Sequence, residues 1–204
     1  MTKEEIIARI QTERLIAIVR LAEEAEVLPT VSRLVASGVR VLEITSNTPG
    51  YGQAIKQART EFPDVLIGAG TILNDTLADE ALSFGAQFLV TPNMNIDVIT
   101  TAHRNGVPVV MGALTPTEVA EGINYGADFI KLFPASVMGP AYLKALLGPY
   151  NGIRVIAVGG VDFSNAGDWF RAGAVGVGMG GSLLSDDPTT ISQSITKLHH
   201  TFES

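Results

Sequence analysis

Short runs of apolar and mostly β-branched residues alternate with amphipathic segments along the whole chain. Continuous runs of this kind are typical of parallel strands that are buried on both faces. The segments between them, such as TLADEALSFGA and TEVAEGINYGA, place apolar residues at helical spacing and end in Gly-Ala before the next run. The runs predict eight strands: LIAIVR (15–20), VRVLEIT (39–45), VLIGAGT (65–71), QFLVTP (87–92), VPVVMG (107–112), FIKLFP (129–134), IRVIAVGG (153–160) and AVGVGMGG (174–181).

The number of strand and helix units favours a closed barrel over an open sheet. Six or seven units could form a doubly wound sheet, but eight of nearly equal length in 204 residues predict a compact α/β fold, the (β/α)8 or TIM barrel. One helix start is clear in LTPTEV, where Thr115 can cap, Pro116 suits the first helical position and Glu118 can close a capping box. No linker divides residues 1–204, so a single barrel domain is expected.

Composition and charge narrow the classes of function. Apolar residues make up 46% of the chain and charged residues 17%, which indicates a globular protein. A formal net charge of -7 with scattered Lys and Arg argues against a nucleic-acid partner. The apolar stretch around LIAIV is far shorter than the roughly 20 residues of a membrane span, so no membrane association is expected. The chain has no cysteine and its N-terminal segment lacks the order of a secretory signal, so a cytoplasmic location is expected.

One lysine stands alone in the apolar run FIKLFP. In a barrel, alternate residues of a strand point inwards, and active sites form at the C-terminal ends of the strands. Lys131 then shares its face with Phe129 and Phe133, and in the second strand Glu43 shares its face with Thr45. The sequence therefore predicts an amine and a carboxylate at nearly the same depth inside the barrel.

Such a buried pair could be purely structural, but desolvation often cancels the Coulomb attraction, so the pair would be a poor stabilising device. Burial lowers the pKa of a lysine from about 10.4, whereas a neighbouring carboxylate raises it, so we expect the two groups to be separated by a water or to share a proton. A neutral lysine can attack a carbonyl to form a Schiff base, and a carboxylate can move protons to and from the intermediates. Lys131 and Glu43 are therefore the predicted catalytic residues.

Two Gly-Gly pairs end the seventh and eighth strands, Gly159-Gly160 and Gly180-Gly181. The phosphate site of a barrel is commonly built from the loops after these strands, where glycine lets backbone N–H groups approach a dianion and Ser182 adds a hydroxyl donor. Simple turn formation is the alternative. The overlapping GVGMGG matches a dinucleotide-binding pattern, but only a Ser/Thr-rich helix follows and no second strand, so no such cofactor is predicted.

Further polar residues stand at the strand ends: Arg20 after the first strand, Thr71 after the third, and Thr91, Pro92 and Asn93 at the fourth. We expect all of them to converge on the catalytic end of the barrel.

The remaining basic candidates do not point to chemistry. Lys144 in AYLKALL lies at helical spacing and is expected on a solvated face. His103, His199 and His200 lack metal-site spacing with nearby carboxylates, so no metal is predicted, and the two adjacent histidines are expected at the surface.

With these residues placed, the chain resembles the pyruvate-forming class I aldolases that cleave 2-keto-3-deoxy-6-phosphogluconate (KDPG), 2-keto-3-deoxy-6-phosphogalactonate or 4-hydroxy-2-oxoglutarate (KHG). The motifs occur in order over nearly the whole sequence: GVRVLEIT, IGAGTIL, FLVTPN, GALTPTE, ADFIKLFPAS, GPAYLKAL, VIAVGGV and GMGGSLL. Each motif is weak alone, whereas the ordered set is specific. The resemblance implies a lyase of carbohydrate metabolism, of the Entner–Doudoroff type. Such an enzyme takes a phosphorylated keto acid, uses no cofactor or metal and forms a homotrimer.

The resemblance also implies roles for individual residues. Lys131 would form the Schiff base and Glu43 would act as the acid and base. Thr71 and Pro92 would lie near the pyruvyl portion, and Phe133 beside the lysine. The phosphate would lie against Gly159, Gly160, Gly181 and Ser182.

One position departs from the gluconate-type members, which carry an arginine where this chain has Asn47 and use it to hold the substrate carboxylate. Asn47 followed by Thr48-Pro49 resembles the galactonate-type branch more closely. Arg20 could supply the missing charge, since a guanidinium suits bidentate carboxylate binding.

Two other functions are compatible with such a barrel. A sugar-phosphate epimerase or decarboxylase would use Glu43 and Lys131 for proton transfer without a covalent bond. A non-catalytic sensor of phosphorylated metabolites would keep only the binding site. Borohydride trapping of an imine tests the first, and ligand binding after Lys131→Met tests the second.

Overall fold

Eight parallel strands close into a barrel in the computed structural model, which describes residues 1–200 apart from the side chains of residues 199 and 200. The strands pair in chain order, and β1 closes the barrel against β8. The predicted TIM barrel is therefore confirmed. The strands are β1 Leu15–Val19, β2 Val41–Thr45, β3 Leu66–Gly70, β4 Leu89–Val90, β5 Val109–Ala113, β6 Phe129–Leu132, β7 Val155–Val158 and β8 Gly176–Met179.

Helices follow the strands and cover the outside of the barrel. One helix precedes the first strand, a short 3-10 turn at Glu24–Glu26 leads into the second helix, and two helices follow the last strand. The helices are α1 Lys3–Glu13, α2 Val27–Ala36, α3 Tyr51–Glu61, α4 Asp75–Ser83, α5 Ile96–Arg104, α6 Pro116–Asn124, α7 Ala135–Leu146, α8 Ala166–Arg171, α9 Gly181–Ser185 and α10 Pro188–His200. Within residues 1–200, none of these helices is both long and apolar enough to cross a membrane.

The helix start predicted at Thr115 is confirmed. Thr115 Oγ1 accepts a hydrogen bond from Glu118 N at 3.4 Å, and the Glu118 carboxylate accepts one from Thr115 N at 2.8 Å. Pro116 occupies the first position of α6, where its missing N–H leaves no intrahelical hydrogen bond unmade.

The apolar residues form two layers. The outer layer lies between the strands and the surrounding helices. The inner layer fills the lower part of the barrel and includes Val41, Leu66, Phe88 and Phe129, all fully or almost fully buried. This packed floor lies below the cavity at the C-terminal ends of the strands.

The barrel floor is closed by α1, an element that the hydrophobic runs did not predict. Ile6 and Ile10, one helical turn apart, join the inner layer. A capping box starts the helix, since Thr2 Oγ1 accepts from Glu5 N at 3.2 Å and the Glu5 carboxylate accepts from Thr2 N at 2.7 Å.

Candidate active site

A cavity of about 470 Å³ opens at the C-terminal end of the barrel. Most of the residues predicted to carry function line it, together with apolar side chains of β1, β7 and the loop after β7. The lining residues are Ile18, Arg20, Glu43, Pro92, Lys131, Phe133, Val158, Gly159, Gly160, Val161, Asp162, Gly178, Gly180, Gly181, Ser182 and Leu184.

Lys131 enters the cavity from β6 and is only 5% exposed. The neighbouring strand β5 has Gly112 opposite it, where an added Cβ would stand 2.3 Å from the backbone of Pro92. The Phe133 ring lies beside the amine, with its centroid 5.0 Å from Nζ. Burial lowers the pKa of Lys131; the nearby Glu43 charge opposes this effect and the Arg20 charge adds to it. The site therefore favours the neutral, nucleophilic amine.

Glu43 enters the same cavity from β2 and is 2% exposed. Its carboxylate lies against the backbone of Gly70 at the end of β3, where an added Cβ would stand only 2.5 Å from Oε1. Burial raises the pKa of Glu43, while the positive charges of Lys131 and Arg20 oppose the rise. A carboxyl group with a raised pKa is suited to both giving and taking a proton near neutral pH.

Across the described residues, no hydrogen bond or salt bridge joins Lys131 to Glu43. Each nevertheless shifts the pKa of the other through its charge. Because no direct ion pair holds the ammonium form in place, the amine can lose its proton and attack a carbonyl group that enters between the two side chains.

Arg20 lies exposed at the rim of the cavity, at the end of β1. Its Nη2 donates a hydrogen bond to Thr71 Oγ1 at 3.1 Å. Thr71 itself is half-buried and does not line the cavity. Its contact with the site is therefore the hydrogen bond that it accepts from Arg20.

Of the three polar residues predicted at the fourth strand, only Pro92 lines the cavity. Thr91 is fully buried, and its Oγ1 donates to Asn93 O at 2.7 Å and accepts from Gly112 N at 2.9 Å. Thr91 and Asn93 follow β4 at the C-terminal end of the barrel, but neither lines the cavity. They fold the loop that presents Pro92.

The two Gly-Gly pairs lie side by side because β7 and β8 are neighbours in the barrel. Gly159 and Gly160 have φ angles of 98° and 72°, in the left-handed region that side chains avoid. A Cβ on Gly160 would stand 2.5 Å from the Ser136 side chain, so this turn has no space for one. Gly181 and Ser182 begin the short helix α9 after β8, and both are exposed.

Asn47 is not brought to this cavity. It is exposed in the loop after β2 and does not line the space around Lys131.

Conversely, Asp162 lines the cavity although sequence reasoning did not select it. Its carboxylate accepts hydrogen bonds from the Ser164 side chain and from the N–H groups of Ser164 and Asn165, which lower its pKa. The spacing D-x-S-N directly after the Gly-Gly pair was the available signal for this turn.

The other basic candidates lie elsewhere. Lys144 is exposed, as predicted. His103 is half-buried, with Nε2 3.2 Å from Asp128 Oδ2 at the opposite end of the barrel. The prediction for His199 and His200 falls outside the described side chains. Among the side chains that the structure describes, no group of three His, Asp or Glu could hold a metal ion.

Comparison with known proteins assigns the chain to a family. The family model described as "KDPG and KHG aldolase" matches residues 6–199. The 2-dehydro-3-deoxy-6-phosphogalactonate aldolase of Escherichia coli (strain K12) is 39% identical over 171 residues, which cover 83% of this chain and 83% of that protein. The 2-dehydro-3-deoxy-phosphogluconate aldolase of Treponema pallidum (strain Nichols) is 33% identical over 180 residues, covering 88% of this chain and 85% of that protein.

Solved structures agree with this assignment. The crystal structure of KDPG aldolase from Legionella pneumophila, with pyruvate captured at low pH as a covalent carbinolamine intermediate, matches with a TM-score of 0.82. It shares 27% sequence identity, and the match covers 97% of this chain and 98% of that one. With a family match over nearly all of its length and a buried lysine and glutamate at the barrel mouth, this chain belongs to the KDPG and KHG aldolase family.

Proposed function

We propose that this chain is a class I aldolase, acting as a single catalytic domain, that cleaves a 2-keto-3-deoxy-6-phospho sugar acid into pyruvate and glyceraldehyde 3-phosphate. The observation that carries the proposal is the environment of Lys131: an amine that is 5% exposed, with a lowered pKa, in a cavity that also holds the Glu43 carboxylate. The family assignment and the carbinolamine captured in the Legionella pneumophila relative support the same chemistry.

The reaction begins when neutral Lys131 Nζ attacks the C2 ketone of the substrate. The carbinolamine that forms loses its hydroxyl as water, with Glu43 supplying the proton, and leaves a positively charged iminium. Glu43, now a carboxylate, takes the proton of the C4 hydroxyl. The C3–C4 bond then breaks, its electron pair moves into the iminium to give an enamine, and glyceraldehyde 3-phosphate leaves.

The second half of the reaction releases pyruvate. The enamine gains a proton at C3, and the resulting iminium is hydrolysed, which restores the amine of Lys131. Glu43 is the cavity's buried carboxyl group with a raised pKa, so it can return the proton that it took. Each proton removed in the first half is thereby given back in the second.

The proposed substrate contacts fall into two groups, one at each end of the substrate. We assign the carboxylate of the keto acid to Arg20, which Thr71 supports at the rim, and the apolar faces of the pyruvyl portion to Pro92 and Phe133. The distal phosphate is assigned to a cradle of Gly159, Gly160, Gly181 and Ser182 at the ends of β7 and β8. A substrate contact of Asn47 stays a prediction.

Within the family's substrates, we propose the galactonate phosphate as the preferred one. Asn47 replaces the arginine of gluconate-type members, and the Escherichia coli relative named for the galactonate phosphate is 39% identical. The test compares kcat/KM for both sugar-acid phosphates and for 4-hydroxy-2-oxoglutarate. A higher value for the gluconate phosphate would overturn the epimer assignment and leave the aldolase assignment in place.

We also propose a homotrimer. Large apolar side chains are exposed on the folded barrel, notably Val137 at 70% and Met138 at 40% on α7, and Leu73 at 49%. Such residues are typical of surfaces that another subunit covers. Light scattering on the purified protein should give three times the chain mass of 21.5 kDa; a single-chain mass would contradict the proposal.

A cytoplasmic location is proposed because the charged sugar-acid phosphate would be encountered there.

Reductive trapping tests the central assignment. Treatment with pyruvate and borohydride should add one stable pyruvyl-derived mass to Lys131 and abolish cleavage. Lys131→Met should lose the label, and the matched control Lys144→Met, at an exposed lysine, should keep it. Cleavage without any trapped imine would instead support proton transfer without a covalent intermediate.

A further inference from the structure

The position of Arg20 is set by hydrogen bonds from residues that lie outside β1. Its side chain is exposed and long, so on its own it would sample many rotamers. The backbone on both sides of Arg20 is hydrogen-bonded to a segment that runs from the last residue of β2 into the next loop. The same segment bonds to the backbone of Thr71, whose hydroxyl accepts from the Arg20 guanidinium. That segment, residues 45–48, has the sequence TSNT.

The first support is a relay of two buried hydroxyls that brackets Arg20. Leu21 N donates to Thr48 Oγ1 at 3.3 Å, Thr48 Oγ1 lies 2.9 Å from Thr45 Oγ1, and Thr45 Oγ1 donates to Val19 O at 3.4 Å. Thr45 is 0% exposed and Thr48 2%. One orientation of the protons satisfies every member: Thr48 donates to Thr45, and Thr45 donates to Val19. The relay therefore fixes the backbone on each side of Arg20.

The second support acts on the partner of the guanidinium. Ser46 Oγ donates to Thr71 O at 2.7 Å, and Ser46 N donates to Gly70 O at 2.8 Å. Thr71 has φ 58°, a left-handed conformation that a β-branched residue adopts only when its surroundings impose it. In this conformation its Oγ1 accepts the hydrogen bond from Arg20.

We propose that Ser46 and Thr48 are positioning residues that fix Arg20 at the rim of the cavity, Ser46 through Thr71 and Thr48 through the backbone beside Arg20. Neither residue lines the cavity, so each acts through the arginine. The inference rests on the proposed function for the statement that Arg20 meets the substrate carboxylate.

A fixed arginine also affects the catalytic pair. The positive charge of Arg20 lowers the pKa of Lys131 and opposes the raised pKa of Glu43. If Arg20 moves away, the amine keeps its proton to a higher pH. Loss of either hydroxyl should therefore weaken substrate binding and also move the pH dependence of the reaction, a shift that a purely structural role would not produce.

Ser46→Ala and Thr48→Val remove the two hydroxyls. Each should raise KM about tenfold, the size expected when a hydrogen bond that positions a charged group is lost, and should change kcat by less than about threefold. On the acid side of the pH profile, kcat/KM rises as Lys131 loses its proton. In both variants this rise should shift to higher pH. Ser46→Thr keeps a hydroxyl and should restore the wild-type values. The matched control Thr101→Val removes a buried hydroxyl on α5, far from the cavity, and should leave both KM and the pH profile unchanged.

A double-mutant cycle shows whether the effect passes through Arg20. In an Arg20→Met background, Ser46→Ala and Thr48→Val should change KM by less than about twofold, because the group that they position is gone. A full tenfold effect in that background, or an unchanged KM and pH profile in the single variants, overturns the inference. Ser46 is only half-buried, so Ser46→Ala alone decides the question if Thr48→Val fails to fold.

Borohydride trapping of pyruvate separates this inference from the proposed function. Wild-type protein that forms no imine on Lys131 contradicts the aldolase assignment itself. Normal trapping in every variant, together with unaltered KM, contradicts only the positioning roles of Ser46 and Thr48.

Discussion

Gly70 is the residue whose substitution tests the position of Glu43 most selectively. It ends β3 beside the Glu43 carboxylate, and a Cβ placed there would stand 2.5 Å from Oε1 and 2.6 Å from the carboxyl carbon. Ordinary contacts of a Cβ begin near 3.4 Å. The φ angle of Gly70 is outside the left-handed region, so alanine fits the backbone, and the three nearest atoms to its Cβ all belong to the Glu43 carboxylate. In Gly70→Ala the carboxylate must move by about 1 Å.

A displacement of that size has a calculable effect. Misplacing a catalytic group by about 1 Å can lower the rate about 100-fold, which corresponds to about 2.7 kcal/mol of transition-state stabilisation. We therefore expect kcat of Gly70→Ala to fall about 100-fold. Pyruvate should still be trapped on Lys131, because the amine itself is not moved, but more slowly, because Glu43 supplies the proton for imine formation.

The assay couples pyruvate release to its reduction and follows cleavage of the sugar-acid phosphate, alongside the melting temperature of each variant. Gly167→Ala is the matched control, since its Cβ would meet only the end of the flexible Arg171 side chain on α8, and its kcat should equal that of wild type. A kcat of Gly70→Ala within about threefold of wild type, with the fold intact, would refute the assignment of proton transfer to Glu43 in this position.

Two further substitutions separate catalysis from stability. Glu43→Gln should lower kcat by about 10²- to 10⁴-fold and should also slow imine trapping on Lys131, because Glu43 supplies the proton in both steps; turnover near the wild-type rate would contradict the acid and base role. Asp128→Asn removes the charge that pairs with Lys3 at 2.8 Å and with His103 at 3.2 Å on the floor of the barrel. It should cost about 2 kcal/mol of stability and lower the melting temperature by roughly 4–8 °C, with kcat at 25 °C unchanged. An unchanged melting temperature would show that this ion pair does not hold α1 in place.

Strict alternation along strands made the catalytic pair predictable. Once FIKLFP and VRVLEIT are assigned as barrel strands, the inward direction of Lys131 and Glu43 follows from the period of two. Both side chains are buried and line one cavity, as the pattern indicated. The strand ends were less predictable. The fourth predicted run spans six residues, whereas β4 is Leu89–Val90, because Thr91 already bonds within the next loop.

The N-terminal helix lacked a strong hydrophobic signal because its buried residues are few. Only Ile6 and Ile10 are buried in α1, and charged residues cover most of the remaining surface. The available signal was the capping box formed by Thr2 and Glu5, which has the same form as the one recognised at Thr115.

The burial and conformation of the loop residues depend on tertiary contacts, which the sequence does not show. Asn47 and Thr48 are neighbours, yet Asn47 is exposed and Thr48 is buried against the backbone of Leu21. The left-handed conformation of Thr71 is imposed by tertiary hydrogen bonds, including one from Ser46, and no local rule assigns it to a threonine. The hydrophobic periodicity of the sequence therefore could not identify the loop residues that support the site.

The central claim is that burial in the barrel lowers the pKa of the Lys131 amine, and the pH dependence of its reaction can be measured directly. The initial rate of pyruvate imine formation, quenched with borohydride and quantified on the Lys131 peptide, should rise about tenfold per pH unit and then level off at the pKa of the amine. Burial lowers the pKa of Lys131, so the plateau should begin below the ordinary lysine value of about 10.4. A rate that keeps rising up to about 10.4, or a label on a different lysine, would contradict the account.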